Sequence, residues 1–218
     1  MYGGIGCLGT PVVRTDAAAI WATGQTWWQV PRVAHVLLYN KPSPGVTGKD
    51  IIIALCGLFG NDEVLNYCVE FGGDGVAHLS VDDRLSIANM TTEWGTLAGV
   101  FPVDGVTIDW LKARAARLRA RGSAKVPSDG DAAELGVNPR LNEERIAELE
   151  ASFLEADKDA CYGKVLSLDL ATVRPQVAGP NHVNVTQCVS QLEESKLAIQ
   201  KVRLSILSLS ECLRTLSS

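Results

Sequence analysis

Asn89 and Glu93 stand four residues apart in a stretch whose pattern predicts a helix, so both side chains project from one face. A carboxamide beside a carboxylate can orient a water, a metal-bound hydroxyl or a substrate hydroxyl, and the carboxylate can accept its proton. The same pair also suits an ordinary solvated helix face, and spacing by itself leaves both readings open. Other groupings carry less chemistry. Gly4-Ile5-Gly6-Cys7-Leu8-Gly9 satisfies the G-x-G-x-x-G pattern, but only three residues precede it and no acid lies near position 29, as a dinucleotide site needs. His35, His78 and His182 fall in no metal-ligand spacing. Cysteines stand at 7, 56, 68, 161, 188 and 212, and none forms a C-x-x-C pair, which leaves out a zinc ribbon or a complete cluster motif. Without a secretory pattern they read as reduced thiols. No G-x-S-x-G nucleophile elbow is present.

The elements that must position Asn89 and Glu93 are legible from capping and breaker residues. Ser80-Val81-Asp82-Asp83 resembles a capping box, and the run from Arg84 to Val100 behind it reads as a helix that Pro102 closes. Upstream, a glycine-rich opening suits a loop whose backbone passes close to something else. A helix is expected over Ala17 to Trp28, a strand over Val33 to Tyr39, a helix from Thr47 and Asp50 through Leu58, and a strand or helix-to-strand segment over Glu63 to Phe71. Downstream, helices are expected from Thr107 through Arg121, over Glu143 to Asp157 and over Cys188 to Lys201, with a strand at Val165 to Leu170. The polar, Gly- and Pro-bearing stretch from Gly122 to Pro139 reads as a surface insertion. Alternating helices and strands predict an α/β fold.

Composition sets the outer limits. The chain has 218 residues, 46% hydrophobic and 21% charged, enough to bury a core. A net charge of −5 argues against a general attraction to nucleic acid or anionic lipid. The basic residues Lys112, Arg114, Arg117, Arg119 and Arg121 spread around their helix and read as a solvated face. The longest apolar run, Ile51 to Phe59, is too short to span a bilayer, and no signal-peptide pattern opens the chain.

Several long motifs carry a family resemblance. They are Met1-Tyr2-Gly3-Gly4-Ile5-Gly6-Cys7-Leu8-Gly9-Thr10-Pro11, the run from Arg14 to Trp28, Pro44-Gly45-Val46-Thr47-Gly48-Lys49-Asp50, and above all Leu85-Ser86-Ile87-Ala88-Asn89-Met90-Thr91-Thr92-Glu93-Trp94-Gly95 continuing to Phe101-Pro102-Val103-Asp104. Ala178-Gly179-Pro180-Asn181 adds a shorter match. In this order they resemble the aconitase superfamily, in its homoaconitase branch, over residues 1 to about 201. The resemblance implies aconitase-type α/β/α three-layer domains, here partial. Residues 1–32 would end a first domain, 33–178 form a second with an insertion near 122–141, and 179–218 begin a third. It implies a hydro-lyase that reversibly hydrates and dehydrates a tricarboxylic acid in lysine biosynthesis in the mitochondrial matrix, as a monomer.

The same resemblance implies a [4Fe–4S] cluster held by three cysteines, with one iron open as a Lewis acid. Asn89 would sit beside that cluster, and Glu93 would hydrogen-bond the water or hydroxyl at its open iron. The cluster cysteines are expected beyond this chain, because Ser210-Glu211-Cys212-Leu213 does not match the family's cysteine loop. No residue here is assigned as a cofactor or metal ligand. The departure after Lys201 is of the kind a retained intron or frameshift leaves. On this reading the chain is an interior piece, inactive alone and prone to self-association. The alternatives are a catalytically inactive remnant or binding module and, more remotely, an unrelated nucleotide-binding α/β protein.

Overall fold

In a computed structural model of the protein, residues 1–121, 141–153, 156–196 and 198–199 are described. They fall into two compact units. One comprises Met1–Phe101 and the described residues from Asp159 onward; the other comprises those between Pro102 and Lys158. The expected insertion at 122–139, with all but the last residue of its wider 122–141 bounds, and the tail after Lys201 lie outside the described residues.

The first unit is built on a four-stranded parallel sheet of β1 (Val33–Tyr39), β2 (Cys68–Gly72), β3 (Ala98–Val100) and β4 (Lys164–Asp169), in the order β3-β2-β1-β4. Register is set by pairs such as Val36 with Phe71 and with Leu166. Strict alternation in β1 buries Ala34, Val36 and Leu38 and leaves Val33, His35 and Leu37 half-buried. The buried row packs with Val69, Phe71 and Leu168 against Ile51, Ile52 and Leu55 of α2 (Gly48–Leu58) and Ile87 of α3 (Val81–Met90). A two-stranded antiparallel ribbon, β5 (Gln176–Ala178) and β6 (Thr186–Cys188), packs beside α2 and leads into α6 (Val189–Ser195). The α/β class expected from the sequence is the one observed.

Helix starts are where the caps place them. Thr47 and Asp50 form one capping box and Ser80 and Asp83 another. Each acid has a second task. Asp50 Oδ1 accepts the Gln176 amide N–H at 2.7 Å, and Asp83 Oδ1 accepts the Gly48 amide N–H at 2.8 Å. The ends of helices depart more from expectation. The helix expected over Ala17–Trp28 is α1 (Arg14–Thr23), stopped by Gly24 at φ 68°. The helix expected to reach Val100 stops at Met90, and β3 follows a turn through residues 91–95. Periodicity could not separate the two, because a three-residue strand of Ala98, Gly99 and Val100 carries almost no strand signal.

The glycine-rich opening is a close-packed wedge. Residues Tyr2–Ile5 form a short 3-10 turn between α3 and β3, held by the Gly3 carbonyl accepting from the Phe101 amide at 2.8 Å. A Cβ at Gly3 would overlap the Gly99 carbonyl, and one at Gly4 would lie 2.6–2.7 Å from the backbone of Arg84 and Leu85. The pattern thus serves backbone packing and does not form a strand-to-helix phosphate loop. Arg84 is fully buried, and its guanidinium donates to the Val76 carbonyl at 2.9 Å, fastening α3 to the 3-10 turn Asp74–His78.

The second unit pairs α4 (Gly105–Arg121) with α5 (Glu143–Ala151) around Val103, Ile108 and Ile146. Lys112 pairs with Glu150, Arg119 with Glu143, and Arg114 lies over the Trp110 ring at 5.5 Å. The basic residues therefore work on a solvated helix surface, as their spacing suggests.

The meeting of α2 and α3 is steric as well as hydrogen-bonded. A Cβ at Gly48 would fall 2.5–2.9 Å from the backbone of Asp83. Gly48→Ala is expected to destabilise the fold by about 1–3 kcal/mol in urea unfolding. Gly105→Ala, in open space at the first residue of α4, should instead be close to neutral. Equal effects from both would show that the Gly48 approach is not a constraint.

Candidate functional site

Asn89 sits in the last turn of α3, half-buried, and Glu93 lies in the turn beyond it, exposed. The two are therefore not stacked on one continuous helix face as the sequence predicts. Instead α3 ends at Thr91, and the chain reverses through Thr92, Glu93, Trp94 and Gly95. Four contacts fix that reversal. The Thr91 hydroxyl donates to the Ala88 carbonyl at 3.0 Å, and the Thr96 hydroxyl donates to the Thr91 carbonyl at 2.9 Å. The Trp94 indole N–H donates to the Phe59 carbonyl at 2.9 Å, just past the end of α2. Gly95 turns the backbone at φ 89°, and its carbonyl accepts from the Asn66 amide at 2.9 Å. A β-carbon there would be strained, so the glycine is required.

These groups place the Asn89 and Glu93 backbones on a rigid frame while their own polar atoms stay available. Among the described residues, no hydrogen bond or ion pair takes up the Asn89 carboxamide or the Glu93 carboxylate. An available carboxylate and an available carboxamide, held by a pinned turn, can together orient a hydroxyl or a water. The positioning residues Thr91, Trp94 and Thr96 were not singled out in the sequence. Their signal is the Trp-Gly pair closing the run, which marks a buried anchor followed by a left-handed turn.

The site's location follows from the topology. The turn at 91–96 runs directly into β3, and the Leu97 amide donates to the Tyr67 carbonyl just before β2. Asn89 and Glu93 thus belong to the amino-terminal edge of the sheet. Ligands of open α/β sheets commonly sit at the opposite, carboxyl edge, where the strand order reverses, here between β1 and β4. The polar groups at that edge bind one another. Asn40, at φ 60°, donates from its carboxamide to Asp169 at 2.9 Å and from its backbone to Asp74 at 3.3 Å. Arg174 donates to the Ser43 hydroxyl at 3.0 Å.

The cysteines and histidines remain on separate elements. Cys56 is buried in α2, and burial, with a smaller contribution from the Glu93 charge, pushes its thiol up to about 12. Burial, followed by the Glu70 charge, also raises Cys68. His35 stacks on Tyr162 at 4.5 Å, while His182 accepts the Asn184 amide at 3.2 Å. Among the described residues no three His, Cys, Asp or Glu side chains gather to hold a metal ion. The described donors therefore do not fit an iron–sulfur cluster, which needs three converging thiolates.

A parallel α/β sheet with this glycine wedge and this pinned Asn–Glu turn defines an aconitase-type domain, and the chain belongs to the aconitase family (aconitate hydratase), whose profile matches residues 1–206. Among its relatives is the protein named mitochondrial homoaconitase in Mycosarcoma maydis, 52% identical over 94% of this chain and 27% of its own length. The Gibberella zeae protein of that name is 53% identical over 94% of this chain and 24% of its own. That of Cryptococcus neoformans is 53% identical over 93% of this chain and 28% of its own. The chain thus spans about a quarter of the length of these relatives.

Three measurements check the geometry. The folded Cys56 thiol stays protonated while its ordinary value is 9.0, so unfolding releases its proton as pH rises above 9. Stability should fall between pH 9 and about 12, and this slope should be smaller in Cys56→Ala, where the raised Cys68 thiol still contributes. At pH 8, iodoacetamide should label exposed Cys7 and Cys161 and spare Cys56 until the chain unfolds. Labelling of Cys56 as fast as Cys7 would refute its burial. Trp94→Phe keeps a ring but loses the bond to Phe59, and should cost about 0.5–1.5 kcal/mol in denaturant unfolding.

Proposed function

We propose that this chain is the part of a homoaconitase-like hydro-lyase that contributes Asn89 and Glu93 to the site, where a tricarboxylic acid such as homoaconitate is reversibly hydrated. The observation that carries this reading is the family match over residues 1–206, which runs through the whole Leu85–Gly95 motif and its pinned turn. The relatives' names supply the substrate class and a mitochondrial location, and we extend both to this chain. No helix among the described residues is long and apolar enough to cross a membrane.

Aconitase-family enzymes use a [4Fe–4S] cluster, which supplies Lewis acidity toward a substrate hydroxyl and carboxylate. Its ligands would come from outside the described residues. What this chain contributes is orientation. The Glu93 carboxylate accepts a hydrogen bond from the hydroxyl that is added or lost, and the Asn89 carboxamide fixes that hydroxyl's second direction. The four hydrogen-bonded contacts of the turn keep both in place without rearrangement at the moment of reaction.

The test is anaerobic iron–sulfide reconstitution and homoaconitate hydration, run on the chain alone and on the chain combined with the remaining three-quarters of a relative. Turnover is expected only in the combination. There Glu93→Gln should lower kcat about 10²–10⁴-fold while KM changes far less. Unchanged kcat in Glu93→Gln would remove the carboxylate from the mechanism. Stoichiometric iron and turnover in the chain alone would overturn the placement of the ligands. A combination that assembles and holds iron but never turns over would favour the inactive remnant.

A further inference from the structure

Only two dipeptides in the chain place a hydroxyl directly before proline, Thr10-Pro11 and Ser43-Pro44. The second stands on a defined turn. The Val46 amide donates to the Ser43 carbonyl at 3.1 Å, Pro44 takes the second position, and Gly45 takes the third at φ 84°. This is the pattern of a type II turn, whose third residue needs a positive φ. Pro44 and Gly45 are exposed at its tip, while Ser43 at its base is half-buried. The turn lies on the connection from β1 to α2, at the carboxyl edge of the sheet and opposite the edge that carries Asn89 and Glu93.

What Ser43 meets there is a guanidinium. Arg174 Nη1 donates to the Ser43 hydroxyl at 3.0 Å and to the Ala171 carbonyl at 3.4 Å, and the hydroxyl donates to that same carbonyl at 3.4 Å. Arg174 is fixed from both sides, since Val173 before it is buried and Pro175 after it holds its backbone extended. Its Nη2 and Nε make no bond among the described residues. A neutral hydroxyl thus uses one corner of a donor fork that fits phosphate oxygens two at a time. Lys41, exposed two residues ahead of Ser43, adds positive charge to the loop. The acids of this edge are already engaged, Asp169 by Asn40 and the Ala171 amide, and Asp74 by the Asn40 amide. Thr10 differs, because no basic side chain is bonded to its hydroxyl among the described residues.

We propose that Ser43 is a phosphorylation site for a proline-directed protein kinase, and that Arg174 is the receptor for the phosphate. Pro44, the residue after the serine, sets the kinase class. The Ser43 oxygen attacks the γ-phosphorus of ATP on the kinase, a new O–P bond forms, the bond to the β-phosphate oxygen breaks, and ADP leaves. The hydroxyl proton passes to the kinase's catalytic carboxylate and from there to water. The product carries about two negative charges at neutral pH, and Arg174 exchanges one neutral bond for a bidentate, charge-assisted pair. The tie has a structural consequence. Ser43 opens the turn into α2, and Arg174 leads into β5, whose Gln176 amide is already held by Asp50 of the α2 cap. Phosphate at Ser43 fastens the ribbon of β5 and β6 to the entrance of α2 a second time. None of this depends on the proposed hydration.

The experiment treats the full 218-residue chain with ATP, Mg²⁺ and a purified mitogen-activated protein kinase, and locates phosphate by peptide mass spectrometry. Ser43 should be modified, and Pro44→Ala should slow that modification about tenfold or more. Phosphorus NMR of the product should show a titration about 0.5 pH unit or more below the ordinary value of about 6. Arg174→Lys should keep part of that displacement and Arg174→Ala should abolish it. Backbone amides of the ribbon should exchange about fivefold more slowly once Ser43 is phosphorylated, and Arg174→Ala should remove the slowing. No phosphate at Ser43, or phosphate at Thr10 alone, would overturn the site. A phosphoserine whose titration is the same with and without the Arg174 guanidinium would overturn its receptor.

Discussion

Everything at the amino ends of the two central helices depends on Asp83. One carboxylate oxygen closes the capping box with Ser80, and the other receives the first amide of α2 through Gly48. The approach leaves no room for a β-carbon on Gly48. One side chain thereby satisfies orphan donors at two helix starts and sets how α2 and α3 lie against the sheet. From there α3 runs to Asn89 and its terminal turn, with the Gly3–Gly4 wedge on its flank and the buried Arg84 fastening it to the Val76 carbonyl. The candidate site is the far end of a lever whose near end is this contact.

That lever explains why the site lies where general rules for α/β sheets do not put it. Carboxyl-edge crevices arise because loops diverge at the switch between β1 and β4 and leave open backbone donors. Here Asn40, Asp74, Asp169 and their neighbours consume one another's hydrogen bonds. At the amino edge, by contrast, the turn after α3 is braced by Thr91, Trp94, Thr96 and Asn66, while the acid and amide it presents make no bond among the described residues. The bracing acts on the backbone and takes up neither of the two side chains.

How much of this the sequence discloses depends on the range of the interaction. The helix start at Thr47 and Asp50 and the capping box at Ser80 are local and were readable to the residue, as was β1 from its β-branched and apolar residues. The glycine opening was recognisable as a close approach, but its partners at Gly99, Arg84 and Leu85 are some eighty or more residues away and no local pattern names them. The end of α3 was missed for the same reason. Nothing before Gly95 breaks a helix, and the bond that stops it runs from Trp94 to Phe59 on another element. The ribbon of β5 and β6 was likewise invisible, since its three-residue strands are held by α2 and by the Asp50 carboxylate and not by their own propensity. Asn89 and Glu93 were expected on one helix face, and the structure instead ends α3 between them and puts Glu93 in the turn that follows.

The exposure of Glu93 bears on what such a pair can accomplish. A carboxylate open to bulk water is solvated from many directions, and its pull on a single hydroxyl is weak and screened. Orientation of a reacting hydroxyl needs water excluded on the side away from the protein, and no described residue lies over this carboxylate to do that. The pinned turn is a scaffold for the two side chains and does not by itself exclude water from them.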